Sequence, residues 1–122
     1  MSKEDGMSPV AFQCVPASYD NQPCLRLLGS ARNTDADALT ARIDELSKQV
    51  TSVLYVDLSQ TRLLDSAALG AIVFQHNRLR SEGKKLVALN PSPTCRHILQ
   101  ITALNRVLEI VDDEAIVVGA PA

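Results

Sequence analysis

Three stretches of the chain repeat apolar residues at helical spacing, and short runs that are apolar almost throughout lie between them. Ala36, Leu39, Ile43, Leu46 and Val50 recur at alternating steps of three and four, which draws an amphipathic helix with one buried stripe. Thr34 stands ahead of them as an N-cap, with Asp37 placed to answer it in a capping-box arrangement. A second helix starts at Asp65 or Ser66, runs to about Ser81 and stops at Gly83. At 100° per residue it turns Leu69, Ile72, Val73, His76 and Leu79 inward, and Ala67, Gly70, Ala71, Phe74 and Arg78 outward. Ser92-Pro93 supplies a cap and a first-turn proline for a third helix, with Cys95, Ile98, Leu99 and Thr102 on its inner side.

Between and around these helices the pattern is that of strands. Residues 10–15 and 23–28 flank the turn-rich Ser18-Tyr19-Asp20-Asn21, which predicts an opening hairpin. Residues 52–58, SVLYVDL, and 85–89 read as strands buried on both faces. Residues 107–110 give a short final strand, and residues 112–118 a last helical turn or a strand-like tail. The order β-β-α-β-α-β-α-β implies an α/β fold with right-handed crossovers and a mixed, mostly parallel sheet behind an N-terminal hairpin. One domain over residues 9–119 follows a flexible tail of residues 1–8. Gly29, after the second strand, reads as a simple turn.

Composition narrows the function. The chain has 122 residues, 46% of them hydrophobic, with a net charge of −2, so no basic footprint points to nucleic acid or anionic lipid. Two Phe and two Tyr, at 12, 74, 19 and 55, are too few for a base-stacking platform. Cys14, Cys24 and Cys95 suggest neither a disulfide framework nor a zinc site. Cys95 is either activated by a helix N-terminus or inert in an apolar position. No apolar run approaches membrane-spanning length and no h-region follows the first residues, so the chain reads as cytoplasmic, without membrane insertion. No Gly-rich phosphate loop, metal cluster or nucleophile–base pair has a context of its own, so no enzyme, cofactor or metal is expected. His76 reads as a satisfied histidine at the core edge, and His97 as solvated.

Attention falls on LLDSAALGAIV, residues 63–73, at the strand-to-helix junction where open α/β sheets place their chemistry. Ser66 has two readings. It is an N-cap, as Ser commonly is, or its hydroxyl accepts a phosphate whose added charge is read by a partner. The outward Ala67, Gly70, Ala71 and Phe74 divide the same way. Either Phe74 is a scattered surface ring, or small residues around one aromatic form the centre of an interface.

VDLSQTRLLDSAALGAI and NPSPTCRHILQITALNRVLEIVDD resemble the two signature stretches of the STAS-domain anti-sigma factor antagonists of bacteria, and the likeness covers roughly residues 10–118. The resemblance implies a STAS-like fold with helices on one side of the sheet. It implies Ser66 as phosphoacceptor, with Asp65, Ala67, Ala68, Gly70, Ala71, Phe74, Arg78 and Arg32 at the partner surface. The unphosphorylated protein would bind a serine-kinase anti-sigma factor and so release a sigma factor, and a serine phosphatase would restore the bound state. Ala68 stands where the family usually has Gly, and Arg32 where an acid is common. The same Asp-Ser helix start also resembles STAS subunits that dock on the ATPase of a lipid-transport complex. A phosphoaspartate receiver, with Asp57 ending LYVDL, lacks the further early carboxylates that would hold magnesium. Asp57 then reads as a strand-end residue bonded to local backbone.

Overall fold

The computed structural model describes residues 12–113 and 118–119. Strands β1 (Gln13–Tyr19) and β2 (Gln22–Ala31) pair antiparallel from Tyr19↔Gln22 to Gln13↔Leu28. Asp20 and Asn21 make the turn with φ of 52° and 61°. A two-residue hairpin turn needs both residues left-handed to follow the strand twist, and Asp and Asn adopt that conformation at low cost. A 3-10 turn (Asn33–Asp35) leads into α1 (Ala36–Ser47). Then come β3 (Val53–Asp57), β4 (Thr61–Leu64), α2 (Ser66–Ser81), β5 (Lys85–Leu89) and α3 (Pro93–Ile101). A second 3-10 turn (Leu104–Arg106), β6 (Glu109–Val111) and β7 (Val118–Gly119) complete the order. The sheet runs β6-β5-β3-β2-β1-β7, parallel through the first four and antiparallel on both sides of β1. It is the mixed, mostly parallel sheet that the sequence predicts. Residues 1–11 and 114–117, which hold the expected tail and part of the last segment, lie outside the described residues.

One strand was not expected. Thr61–Leu64 pairs parallel with the far half of β2, from Gly29↔Thr61 to Ala31↔Leu64. The register shifts between Gly29 and Ser30, and Gly29 has φ 84°, which a residue with a Cβ adopts only under strain. Gly29 is therefore a bulge within β2 rather than a turn after it. The bulge lets β2 serve β3 with Cys24–Arg26 and β4 with its last residues. The Thr61 hydroxyl fixes the step by donating to the Leu27 carbonyl at 2.8 Å.

Helix boundaries depart from the pattern where local geometry differs. Thr34 lies inside the 3-10 turn, and Asp35 occupies the N-cap of α1 without a side-chain cap bond. The Asp35 carboxylate instead accepts from the Arg32 backbone N–H at 3.0 Å. Leu39 and Ile43 are fully buried and Leu46 half-buried, but Val50 lies beyond the helix end. Thr102 is exposed, not inward: it ends α3 and its hydroxyl donates to the Ile98 carbonyl at 2.7 Å. The last predicted strand is displaced to Glu109–Val111, because Ala103 turns left-handed at φ 60° and residues 104–106 tighten into a 3-10 turn.

All three helices pack on one face of the sheet. Leu25, Leu27, Leu54, Val56, Leu86 and Ala88 alternate onto that face and meet Leu39, Ile43, Leu69, Ile72, Leu79 and Leu99 in a single cluster. The opposite face carries Tyr19, Cys24 and Leu89, with Tyr55 edge-on to Tyr19 at 4.8 Å between ring centroids. Asp57 also points there, so β3 is apolar on one face and mixed on the other. The Asp57 side chain is wholly buried; it takes the Arg26 Nε–H at 3.0 Å from the adjacent strand and the Ser59 backbone N–H at 3.1 Å.

His76 lies at the helix-side edge, 5% exposed, and neither ring nitrogen has a hydrogen-bond partner among the described residues, so it is buried but not satisfied as expected. Burial, and secondly the nearby Arg80, push its pKa below the usual 6.5.

Two outcomes follow from these polar groups. Asp57→Ala removes the buried carboxylate beside Arg26, and the loss of stability in urea denaturation is about 2–3 kcal/mol, reduced from the fully buried case because Arg26 is partly solvated. A loss below about 0.5 kcal/mol would mean that the pair merely fills space. The folded chain disfavours imidazolium at His76, so its contribution is complete above pH 6.5 and is lost as pH falls below it. His76→Phe therefore flattens the dependence of the urea midpoint between about pH 7 and about pH 5; an unchanged slope would assign that dependence to other groups.

Candidate functional site

The start of α2 is fixed before the helix begins. Asp65 is extended at φ −83° and ψ −179°, and its backbone N–H donates to the Ala31 carbonyl at 3.1 Å, tying it to the end of β2. Its carboxylate Oδ1 accepts from the Ala68 N–H at 3.0 Å, and its carbonyl from the Leu69 N–H at 2.9 Å. Asp65 is thus the N-cap, a role that Asp fills as well as Ser does. Ser66 is the first helical residue; it is exposed, and its hydroxyl has no partner among the described residues. The capping explanation of Ser66 is answered by its neighbour.

Ser66, Gly70 and Phe74 follow at steps of four along one exposed stripe, with the Phe74 ring 63% exposed. At 1.5 Å per residue the stripe from Ser66 to Phe74 is about 12 Å long. Ala67 and Ala71 are half-buried at its border. A Cβ added to Gly70 would meet nothing within 4 Å. A mid-helix glycine costs about 1 kcal/mol relative to alanine; no contact in the fold asks for one here.

Several expected positions are corrected. Ala68 is fully buried, so it belongs to the core and not to the surface. Val73 is half-buried, while Gln75 is 2% exposed and holds an inner position beside His76. The inner stripe is Ala68, Ile72, Gln75, His76 and Leu79 together with Leu69. Gln75 stood on neither predicted face; the 68-72-75-79 spacing was the available signal. Arg78 is engaged within the fold. It donates to Gln75 Oε1 at 2.8 Å, Glu82 at 2.8 Å and the Ser47 hydroxyl at 3.0 Å, and lies 3.3 Å from Asp44. Arg78 joins α2 to the end of α1. Arg32 is exposed and directly follows Ala31, which brings it to the same corner as Asp65.

The remaining reactive groups lie elsewhere. Burial pushes the Cys14 thiol up to about 11 and Cys24 to about 12, and it also raises Cys95 despite the opposing effect of the Ser92 side chain. None is a thiolate at neutral pH. Asp57 is sealed behind Arg26 and offers no accessible carboxylate. His97 is exposed. Among the described residues no group of three or more His, Cys, Asp or Glu is placed to hold a metal ion, and no helix is long and apolar enough to cross a membrane.

A family model described as "Mlab, STAS domain" matches residues 14–112. Among solved structures, an anti-sigma factor antagonist from Mycobacterium paratuberculosis aligns with a TM-score of 0.71 at 19% identity, over 82% of this chain and 85% of that one. The unphosphorylated form of the anti-sigma factor antagonist SpoIIAA aligns at 0.67 and 22% identity, over 84% and 88%. Its phosphorylated form, from Bacillus, aligns at 0.62 and 22%, over 84% and 91%. These likenesses carry the fold, with its helices on one side of a mixed sheet. On the family match and the shared architecture together, the chain belongs to the STAS domain family.

Proposed function

We propose that this chain is a phosphorylation-switched anti-sigma factor antagonist, acting through Ser66. The observation that carries the proposal is the division of labour at the helix start: Asp65 caps, and the adjacent Ser66 hydroxyl is left exposed and uncommitted. The unphosphorylated form docks on a serine-kinase anti-sigma factor through Ser66, Ala67, Gly70, Ala71 and Phe74, with Asp65 and Arg32 at the rim. Docking releases the sigma factor, phosphorylation of Ser66 ends the complex, and a serine phosphatase restores it. The solved relatives named as phosphorylated and unphosphorylated forms of one antagonist support this reading. A role in the cytoplasm, where such partners act, belongs to the same proposal.

The charge arithmetic favours a switch over damage to the fold. A phosphate at Ser66 adds about −1.5 to −2 charges at neutral pH. The first-turn N–H groups and the helix dipole offset part of this by about 0.3–1 kcal/mol, so the domain stays folded. A partner covering Phe74 and Gly70 has to strip water from that dianion beside Asp65, at a cost of several kcal/mol. A loss of about 4 kcal/mol weakens docking about a thousandfold.

Docking on a transport ATPase would use the same surface but would be permanent, and the solved relatives named as antagonists do not favour it. Co-purification distinguishes the two: a small serine-kinase ATPase in one case, a transporter ATPase in the other.

The retention assay tests the switch. An immobilised serine-kinase anti-sigma factor holds the wild-type chain and releases it on addition of ATP, whereas Ser66→Ala is held and not released. Ser66→Asp binds at least about tenfold more weakly; equal labelling of wild type and Ser66→Ala by the kinase would remove Ser66 from the mechanism. The surface itself is tested by two further substitutions. Phe74→Asp abolishes retention with a nearly unchanged melting temperature, because the ring is mostly solvated; a large thermal loss would assign it to the core. Gly70→Ala raises stability by about 0.5–1 kcal/mol, and Gly70→Leu weakens docking by closing the approach to the backbone.

A further inference from the structure

From Ser66 to Arg80, α2 advances about 21 Å at 1.5 Å per residue, and at this far end a cleft of about 380 Å³ opens between α2, β5 and β6. Its wall holds Arg80 from the last turn of α2, Lys84 and Lys85 at the entry to β5, and Glu109 from β6, so three cations face one carboxylate. Lys85 is paired with Glu109 at 2.9 Å. Lys84 is half-buried; it donates to the Ser47 carbonyl at 3.0 Å and lies 3.9 Å from Glu82. Arg80 is exposed, and its guanidinium makes no ion pair among the described residues. His76 forms part of the same wall, nine-tenths buried, with both ring nitrogens lacking partners among the described residues.

Packing does not account for this group. A neutral imidazole has one donor and one acceptor, and burying both without partners is costly unless something else meets them. The side chains around it leave an excess of positive charge beside a donor. We propose that the cleft binds a phosphate-class dianion, held by Arg80 and Lys84, with the His76 ring N–H as third donor once the exposed Arg80 side chain draws inward. The guanidinium fork matches two phosphate oxygens, and an ammonium serves the third as a point charge. The volume stands at the small end of ligand pockets, fitting a phosphate with a compact organic group attached. Val107, 44% exposed, supplies an apolar wall for that group.

The site carries its own pH dependence. Desolvation and Arg80 now hold His76 neutral. A dianion offsets the charge of Arg80 and favours imidazolium, so binding raises the His76 pKa from its lowered value. Nothing in the proposal requires Ser66, and it stands whether or not the switch does.

The test is an NMR titration of the full chain with inorganic phosphate, and in a second arm with a nucleoside monophosphate, following the His76 imidazole and backbone amides. A saturable shift centred on His76, Arg80 and Lys84, with the His76 pKa higher in the bound form than in the free one, supports the site. Tighter binding in the second arm names a phosphomonoester as the ligand class, and equal binding names free phosphate. Arg80→Ala, a surface change that leaves the fold intact, weakens binding at least about tenfold. An unsaturable shift, the same affinity in Arg80→Ala, or shifts centred on the amides at Ser66 would overturn the proposal.

Discussion

The bond between the Asp65 N–H and the Ala31 carbonyl is the constraint on which the rest of the functional corner depends. It fastens the first residue before α2 to the end of β2, and the Asp65 carboxylate then starts the helix by accepting from Ala68. The helix direction is thus set from the sheet, and Ser66 emerges at its first position facing water. The bulge at Gly29 is part of the same device. Without the register shift, the end of β2 would remain committed to β3 and could not receive β4, whose last residue, Leu64, delivers Asp65 to Ala31. A left-handed glycine two residues before Ala31 therefore helps place a hydroxyl on the surface.

What the sequence made legible was whatever rests on long, regular patterns. The extent of α2, the buried strand at 85–89 and the Ser92 cap of α3 were all readable, because periodicity and capping chemistry agree there. The hairpin turn at Asp20-Asn21 was readable for the same reason. The strand at Thr61–Leu64 was not. Four residues are too short to show alternation, and its partner is half of a strand already assigned elsewhere. The cap of α1 was misplaced because Thr34 looks like a cap by type, while the 3-10 turn carries the chain one residue past it.

The candidate site was legible in its location and less so in its membership. Asp-Ser at a strand-to-helix junction marks the corner from residue types alone. Which of the two caps could not be read, since both are favoured N-caps and only the hydrogen bond to Ala68 decides. Ala68 was assigned to the surface because alanine is at home on either side of a helix; its complete burial follows from standing one turn ahead of Ile72 on the sheet-facing stripe. Gln75 and Arg78 show the reverse case. Two polar side chains turn toward one another and bridge α2 to α1, where a binary pattern of polar and apolar residues has nothing to say.

The two ends of α2 are opposite in electrostatic character, and this bears on how one helix can carry two sites. At its N-terminus the backbone presents unpaired N–H groups and a partial positive charge, which tolerate a phosphate on Ser66 without unfolding the domain. At its C-terminus the backbone contributes partial negative charge, and the cations of Arg78, Arg80 and Lys84 are where the dipole favours them. Three of the neighbouring carboxylates, Asp44, Glu82 and Glu109, are consumed by Arg78, Lys84 and Lys85. Among the described residues Arg80 is the cation of this group left without an ion pair, and the histidine whose imidazolium it disfavours lies one turn back along the same helix. Dipole compensation explains why cations gather at that end, but it acts on exposed charge and gives no reason for a buried histidine with neither nitrogen met. A ligand bringing negative charge would meet one ring N–H and the spare guanidinium together, far enough from Ser66 that neither site hinders the other.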